Sequence, residues 1–236
     1  RSRLQQWVKD GRCDLDGQAA RNKDKVVAGQ EIRLDAEFAD QVAPHAQDIP
    51  LDVVFEDDAL IVINKPPGLV VHPAAGNPDG TLQNALLHHD FGLRELPRAG
   101  IVHRLDKDTS GLLVVARTPA AHHHLVDELQ ERAIHREYRA VVAGAMVAGG
   151  TVDAPIGRHR VQRTRMAVTS AGKPAVTEYR VLERYRAHTL LQLKLQSGRT
   201  HQIRVHMAHI HYPIVGDPVY GGRLRMPAGA SEALRA

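Results

Sequence analysis

Two carboxylates, Asp106 and Asp108, stand in the stretch Gly100-Ile-Val-His-Arg-Leu-Asp-Lys-Asp-Thr-Ser-Gly-Leu-Leu-Val-Val-Ala-Arg117, the part of the chain densest in reactive groups. Polar residues fill His103 to Ser110, and the apolar run Leu112 to Ala116 follows at once. That order predicts a polar loop at the mouth of a buried strand, a common way for a fold to hold a reactive group still. Arg104 and Lys107 lie beside the pair. Asp-x-Asp with histidines elsewhere is the beginning of a metal-dependent nuclease site. No further carboxylate cluster accompanies the pair, which weighs against the metal. A charged surface turn is the bland alternative.

A second group of candidates lies in Ser197-Gly-Arg-Thr-His-Gln-Ile-Arg-Val-His-Met207. His201 and Arg204, three residues apart, would share a helical face. Tyr138, in Arg136-Glu-Tyr-Arg-Ala140, reads by itself as a core strand residue. Between Arg158 and Arg165 there are four arginines (158, 160, 163 and 165) and no acid, a pattern suited to phosphate contact as well as to solvent. His122-His-His124 is no metal site on a helix, because neighbouring side chains diverge by about 100°.

The elements that would carry these groups can be read from patterning. Leu4, Trp7 and Val8 fall at helical spacing within Arg3 to Asp10, Gly11 stops the turn, and Cys13-Asp-Leu-Asp-Gly17 reads as strand and turn. Val26 to Leu34 looks like a second turn and strand. Prolines at 44 and 50 mark a linker. Leu51 to Phe55 and Leu60 to Ile63 predict a hairpin around Glu56-Asp57-Asp58, and Leu69 to Val71 should resume extended structure. Thr81 and Thr118-Pro119 are helix starts, the second helix burying Leu125 and Leu129. Tyr138 to Ala143, Ala175 to Leu182 and Leu190 to Leu195 read as strands, and Thr200 as the cap of a helix running to about His209. Strands outnumber helices without strict alternation, so the expected fold is mixed α+β around a largely antiparallel sheet.

Composition narrows the class. Hydrophobic residues make up 43% and charged residues 25%, ordinary for a globular chain, whereas 4% aromatics leave the core to Val, Leu, Ile and Ala. No apolar run approaches a bilayer span and the N-terminus is polar, so a cytoplasmic protein is expected. The single cysteine, Cys13, can make neither an internal disulfide nor a Cys-based zinc site. A formal net charge of +4 is modest, but it is spread over separate basic stretches, Arg1 to Arg33 holding eight Lys/Arg against five Asp/Glu. Two basic surfaces suit an extended polyanion better than a small acidic metabolite.

His103-Arg-Leu-Asp-Lys-Asp-Thr-Ser-Gly111 resembles the signature of the RluA family of pseudouridine synthases. Asn64-Lys-Pro-Pro-Gly-Leu-Val-Val-His-Pro73 is similar to that family's leading strand and turn. Ser197 to Met207, followed by Val215-Gly-Asp-Pro-Val-Tyr-Gly-Gly222, is similar to its closing motif. Gly76 to His88 resembles the branch that modifies a stem-loop of large-subunit ribosomal RNA. The first forty residues resemble an S4-type RNA-binding module with its first helix clipped, giving expected boundaries of 1–38 for the module, 39–50 for the linker and 51–236 for the synthase domain.

The resemblance implies roles. Asp106 matches the catalytic aspartate, and Arg104 the arginine that enters the RNA. Tyr138 matches the aromatic that packs on the target base. Arg204 matches the basic partner of the aspartate, with Arg199 a weaker candidate for that role or for phosphate contact. His201 and the arginines at 158, 160, 163 and 165 are expected at the RNA. Isomerising uridine breaks a C–N bond, turns the base and rejoins it through C5. Nothing is oxidised and no group is lost, so neither cofactor nor metal is required. Attack at the sugar C1′ and attack at the base C6 both remain open. Chains of this family continue for several tens of residues past a segment like Gly229 to Glu232, so a truncated chain lacking closing strands is expected. A non-catalytic RNA-binding assembly factor is the rival from another class, and the joint presence of Asp106, Tyr138 and Arg204 argues against it.

Overall fold

The computed structural model describes residues 2–35, 44–74, 76–162 and 164–222, with the side chains of residues 2 and 3 left aside. The chain divides into two units, Arg1–His45 and Ala46–Ala236. The smaller unit has a helix, α1 (Ser2–Lys9), and three short strands, β1 (Cys13–Leu15), β2 (Gln18–Ala19) and β3 (Ile32–Leu34), paired antiparallel in the order β2-β1-β3. Gly11, at φ +74°, ends the helix where a side chain would be strained. None of its described residues is fully buried. Residues 39–43 of the expected linker, and 36–38 at the end of the expected module, lie outside the described residues. The linker's far end is attached to the larger unit, where the Gln47 side chain accepts from Gly80 N at 2.7 Å.

In the larger unit, β4 (Val53–Glu56), β5 (Leu60–Lys65) and β6 (Gly111–Ala116) make a three-stranded antiparallel sheet. The hairpin closes as expected, because Asp57 Oδ1 accepts from the amides of Ala59 and Leu60, both at 2.8 Å. Helix α2 (Leu82–His89) starts at Thr81 with a reciprocal capping box, the Asn84 side chain accepting from Thr81 N at 3.0 Å. Ile61, Ile63, Leu82, Leu86, Leu113 and Val115 form the core between this sheet and α2. Leu69 to Val71 does not form the expected strand. The carbonyls of Val70 and Val71 accept from Leu82 N and Gln83 N, so they satisfy the open end of α2 instead of a ladder. Helix α3 (Pro119–Gln130) is capped by Thr118 as expected, but Leu125 and Leu129 are only half-buried.

A second antiparallel sheet contains β7 (Arg136–Ala143), β8 (Gly150–Asp153), β11 (Val176–Arg184) and β12 (His188–Leu195), in the order β7-β12-β11-β8. Helix α4 (Gln202–His209) packs Met207 against Val142, Leu191 and Leu193. A separate hairpin, β9 (Ile156–Arg158) and β10 (Met166–Val168), carries the arginine-rich stretch at its tip. The architecture of the larger unit is therefore α+β with antiparallel strands, divided among its described residues into two sheets and a hairpin. Tyr138 packs against the cores of both sheets.

Candidate active site

Asp106 lies in the irregular loop between Gly100 and β6, and three anchors hold that loop. Gly100, at φ +77°, presses so closely on the next strand that a Cβ there would meet the Ala116 carbonyl at 2.0 Å. His103 Nε2 accepts from Val114 N at 3.0 Å, closing an otherwise open position on the edge of β6. Burial lowers the His103 pKa to about 4, with the Arg136 charge adding to the effect, so the ring is neutral and suited to accept. The third anchor is Lys65, fully buried at the end of β5. Its ammonium donates to the carbonyls of Pro66, Leu69 and Lys107 at 2.7, 2.9 and 2.9 Å. All three of its protons are used, and the Lys107 carbonyl also accepts from Gly68 N. Burial pushes the Lys65 pKa down, against the pull of Asp108 and Asp106. The turn closes through a backbone hydrogen bond from Thr109 N to the Asp106 carbonyl, and the side chains of Asp108, Thr109 and Ser110 make no hydrogen bond among the described residues.

Across the cleft, Arg204 on α4 donates from Nη1 to Asp106 Oδ2 at 3.2 Å. Its other edge grips Asp217, with Nε to Oδ2 at 2.7 Å and Nη2 to Oδ1 at 2.9 Å. Asp217 is nearly closed to solvent and also accepts from Val219 N and Tyr220 N. Burial would raise its carboxyl pKa, but Arg204 and the two amides outweigh that and hold it below the usual range. The Asp217 hydrogen bond is in turn the main reason the Arg204 pKa is raised. The chain reaches this position by returning along β7, where Val215 N donates to the Val141 carbonyl.

Helix α4 does not start on Thr200. His201 occupies the cap with φ 57°, in left-handed geometry, and no side chain caps the helix. The Gln202 side chain accepts from Ser197 Oγ and Arg199 N, and donates to the Val176 carbonyl and Thr177 Oγ1. This clip pins the Ser197–Arg199 turn to β11.

One cleft of about 1200 Å³ is lined by Arg104, Asp106, Tyr138, Arg199, His201 and Arg204, so six of the sequence candidates meet there. Arg204, not Arg199, reaches the aspartate; Arg199 is exposed and donates to the Pro174 carbonyl. Burial raises the Tyr138 pKa, Arg136 opposing and Asp106 reinforcing the shift, so the phenol stays protonated. Arg158 and Arg160 are exposed on the β9–β10 hairpin and do not line the cleft, and Arg163 lies outside the described residues. Arg165 stacks over Tyr220, its Cζ 5.2 Å from the ring centroid. Sequence reasoning gave no role to Lys65, Arg98, Arg136, Asp217 or Tyr220. Asp217 and Tyr220 sit in the quoted closing motif, but nothing local says that they fold back onto Arg204. Arg136 lines the cleft with its Nε buried and without an acceptor among the described residues. No group of three or more potential metal ligands gathers among the described residues.

Residues 59–209 match the family model described as RNA pseudouridylate synthase. The chain belongs to that family. It is a pseudouridine synthase, an isomerase, as the resemblance implied. The synthase is 60% identical to "Ribosomal large subunit pseudouridine synthase D" of Pseudomonas aeruginosa over 234 residues, 99% of this chain and 73% of that relative. It is 58% identical to the protein of the same name from Escherichia coli K12, again over 99% of this chain and 72% of the relative. Among solved structures, the synthase resembles "Human RNA Pseudouridylate Synthase Domain Containing 1" with a TM-score of 0.60 and 28% identity, covering 75% of this chain and 71% of that one.

Proposed function

We propose that this synthase converts uridines of large-subunit ribosomal RNA to pseudouridine, with Asp106 as the nucleophile. The observation that carries the assignment is the contact between Asp106 and Arg204 in a cleft also lined by Tyr138 and Arg104. The printed names of the Pseudomonas and Escherichia relatives support the ribosomal substrate. The reaction breaks N1–C1′, makes C5–C1′, releases the proton on C5 and leaves one on N1, so atoms and charge balance without a co-reactant. Arg204 balances the charge of the carboxylate and fixes its direction. Tyr138 offers its ring to the extruded uracil, and such stacking is worth about 1–3 kcal/mol against a flipping cost of a few. Arg104 would enter the RNA and help hold the target nucleotide out of its stack, and Arg98, which also lines the cleft, would hold a flanking phosphate.

Arg158, Arg160, Arg163 and Arg165 form the second phosphate-contacting surface in this reading, joined at the cleft by Arg199 and His201. Residues 1–38 act as an S4-like RNA-binding module, supported by their helix-and-strand pattern and basic surplus. A cytoplasmic location fits action on ribosomal RNA. No helix among the described residues is long and apolar enough to cross a membrane. The test is pseudouridine mapping in ribosomal RNA from cells lacking the protein, complemented with the wild type or Asp106→Asn. Specific positions should lose the modification and regain it only with the wild type. An unchanged map would refute the substrate, and rescue by Asp106→Asn would refute the nucleophile.

A further inference from the structure

We infer that Asp217 and Tyr220 are positioning residues that brace Arg204 against Asp106, and that Tyr220 ties the β9–β10 hairpin to the catalytic carboxylate. The inference rests on the assignment of Asp106 as nucleophile. Arg204 meets Asp106 through a single hydrogen bond of 3.2 Å, with both side chains still about 20% exposed. A long arginine in an open cleft has many rotamers, and one such bond does not restrict them. Asp217 supplies the restriction, because its two oxygens take Nε and Nη2 in a fork and leave only Nη1 for Asp106. The fork is itself fixed. Asp217 accepts the Val219 and Tyr220 amides, and its carbonyl accepts from Gly221 N, in a turn so tight that a Cβ on Gly221 would lie 2.5 Å from that oxygen.

Tyr220 extends the brace to the hairpin. Its ring has the Arg204 guanidinium 5.0 Å from the centroid and the Arg165 guanidinium at 5.2 Å. Its hydroxyl accepts from Met166 N, the first residue of β10, at 2.8 Å and shares a hydrogen bond of 2.8 Å with His201 Nδ1. The path Met166–Tyr220–Arg204–Asp106 therefore consists of direct contacts throughout. A phosphate that pulls on the arginines at the hairpin tip acts on the same tyrosine that supports Arg204. The hairpin then contributes to rate as well as to affinity.

Single-turnover rates and RNA affinities of Tyr220→Phe, Asp217→Asn, Asp217→Glu and the Tyr220→Phe/Asp217→Asn double variant test this, with Asp106→Asn as the reference. Tyr220→Phe keeps the ring and loses both hydroxyl bonds; it should slow isomerisation roughly tenfold at saturating RNA, with affinity within about twofold of wild type. Asp217→Asn should cost about a hundredfold, the scale of a misplaced reacting group, and Asp217→Glu should recover part of that. The double variant should be no slower than Asp217→Asn alone, since both changes act through Arg204. A wild-type rate in Tyr220→Phe, or effects that multiply in the double variant, would overturn the brace. So would rate losses matched by equal losses of affinity and melting temperature. Turnover by Asp106→Asn would instead remove the nucleophile assignment, so the two failures are distinguishable.

Discussion

The buried ammonium of Lys65 lies 2.9 Å from the carbonyl oxygen of Lys107, the residue next to Asp106. One lysine on β5 thus spans from the Lys-Pro-Pro-Gly turn to the reactive loop, and it uses every proton it has. Lys65→Met keeps the aliphatic stem but leaves three carbonyls without that donor. We expect a loss on the order of 2–4 kcal/mol of stability and a looser loop with lower turnover. Urea denaturation of the variant checks this, and a midpoint equal to wild type would show that the ammonium is dispensable.

Asp106→Asn is nearly isosteric, can turn its one remaining oxygen, the amide Oδ1, toward Arg204 and removes the nucleophile. Release of tritium from RNA labelled at uracil C5 should stop, while filter binding to the same RNA continues. Residual release at more than about a thousandth of the wild-type rate would point to another acid.

Arg204→Ala removes the only side chain that hydrogen-bonds Asp106 among the described residues, and leaves Asp217 buried without its ion pair. Loss of most turnover is expected, together with some destabilisation. Tyr138→Ala should also lose most turnover, because nothing then packs on the extruded base. Wild-type rates in both variants would move the chemistry elsewhere.

The pH response of stability should carry the signature of His103. Its folded pKa of about 4 lies below the value of 6.5 for a free histidine, so the unfolded chain binds the extra proton between them. The contribution is complete above about pH 6.5 and is lost as pH falls toward 4, by about 2 kcal/mol between pH 7.5 and 5. The lowered values of His72, His201 and His206, each led by burial, act with the same sign. Denaturation at the two pH values should show the fall, with a smaller one in His103→Asn. Equal slopes for the two proteins would mean that His103 is not buried neutral.

Replacing Arg21, Lys23 and Lys25 by glutamine in the full chain should weaken RNA binding and flatten its dependence on salt. Each lost phosphate contact lowers the log–log slope by about 0.7–0.9. An unchanged slope would leave the basic face of the smaller unit without a role at the RNA.

What the sequence made legible was mostly local. Asp57 closing a hairpin, and Thr81 and Thr118 opening helices, act within three residues of themselves, so their spacing is enough to read them. Asp106, Arg204 and Tyr138 could be placed in one cleft through three motifs in the expected order. The misses share a different cause. Thr200 looked like a cap, but Gln202 reaches back to Arg199 N and across to β11, a competition visible only after the strand is in place. Leu69 to Val71 is apolar enough for a strand, yet the Leu69 carbonyl goes to Lys65 and those of Val70 and Val71 to α2. Lys65 carries a charge that patterning assigns to the surface, and only the three converging carbonyls explain its burial. Asp217 lies thirteen residues beyond Arg204, and the return of the chain along β7 brings the two together.

The three anchors on the Asp106 loop also bear on which nucleotides are worth attacking. Gly100 against β6, His103 on the strand edge and Lys65 beneath the turn leave the acid little room to travel. The journey then belongs to the uridine, and the expense of unstacking it, beyond what Tyr138 returns by stacking, falls on the RNA. Hairpin loops, bulges and half-assembled junctions, where that expense is already partly met, should be converted faster than the same base sequence inside a finished duplex.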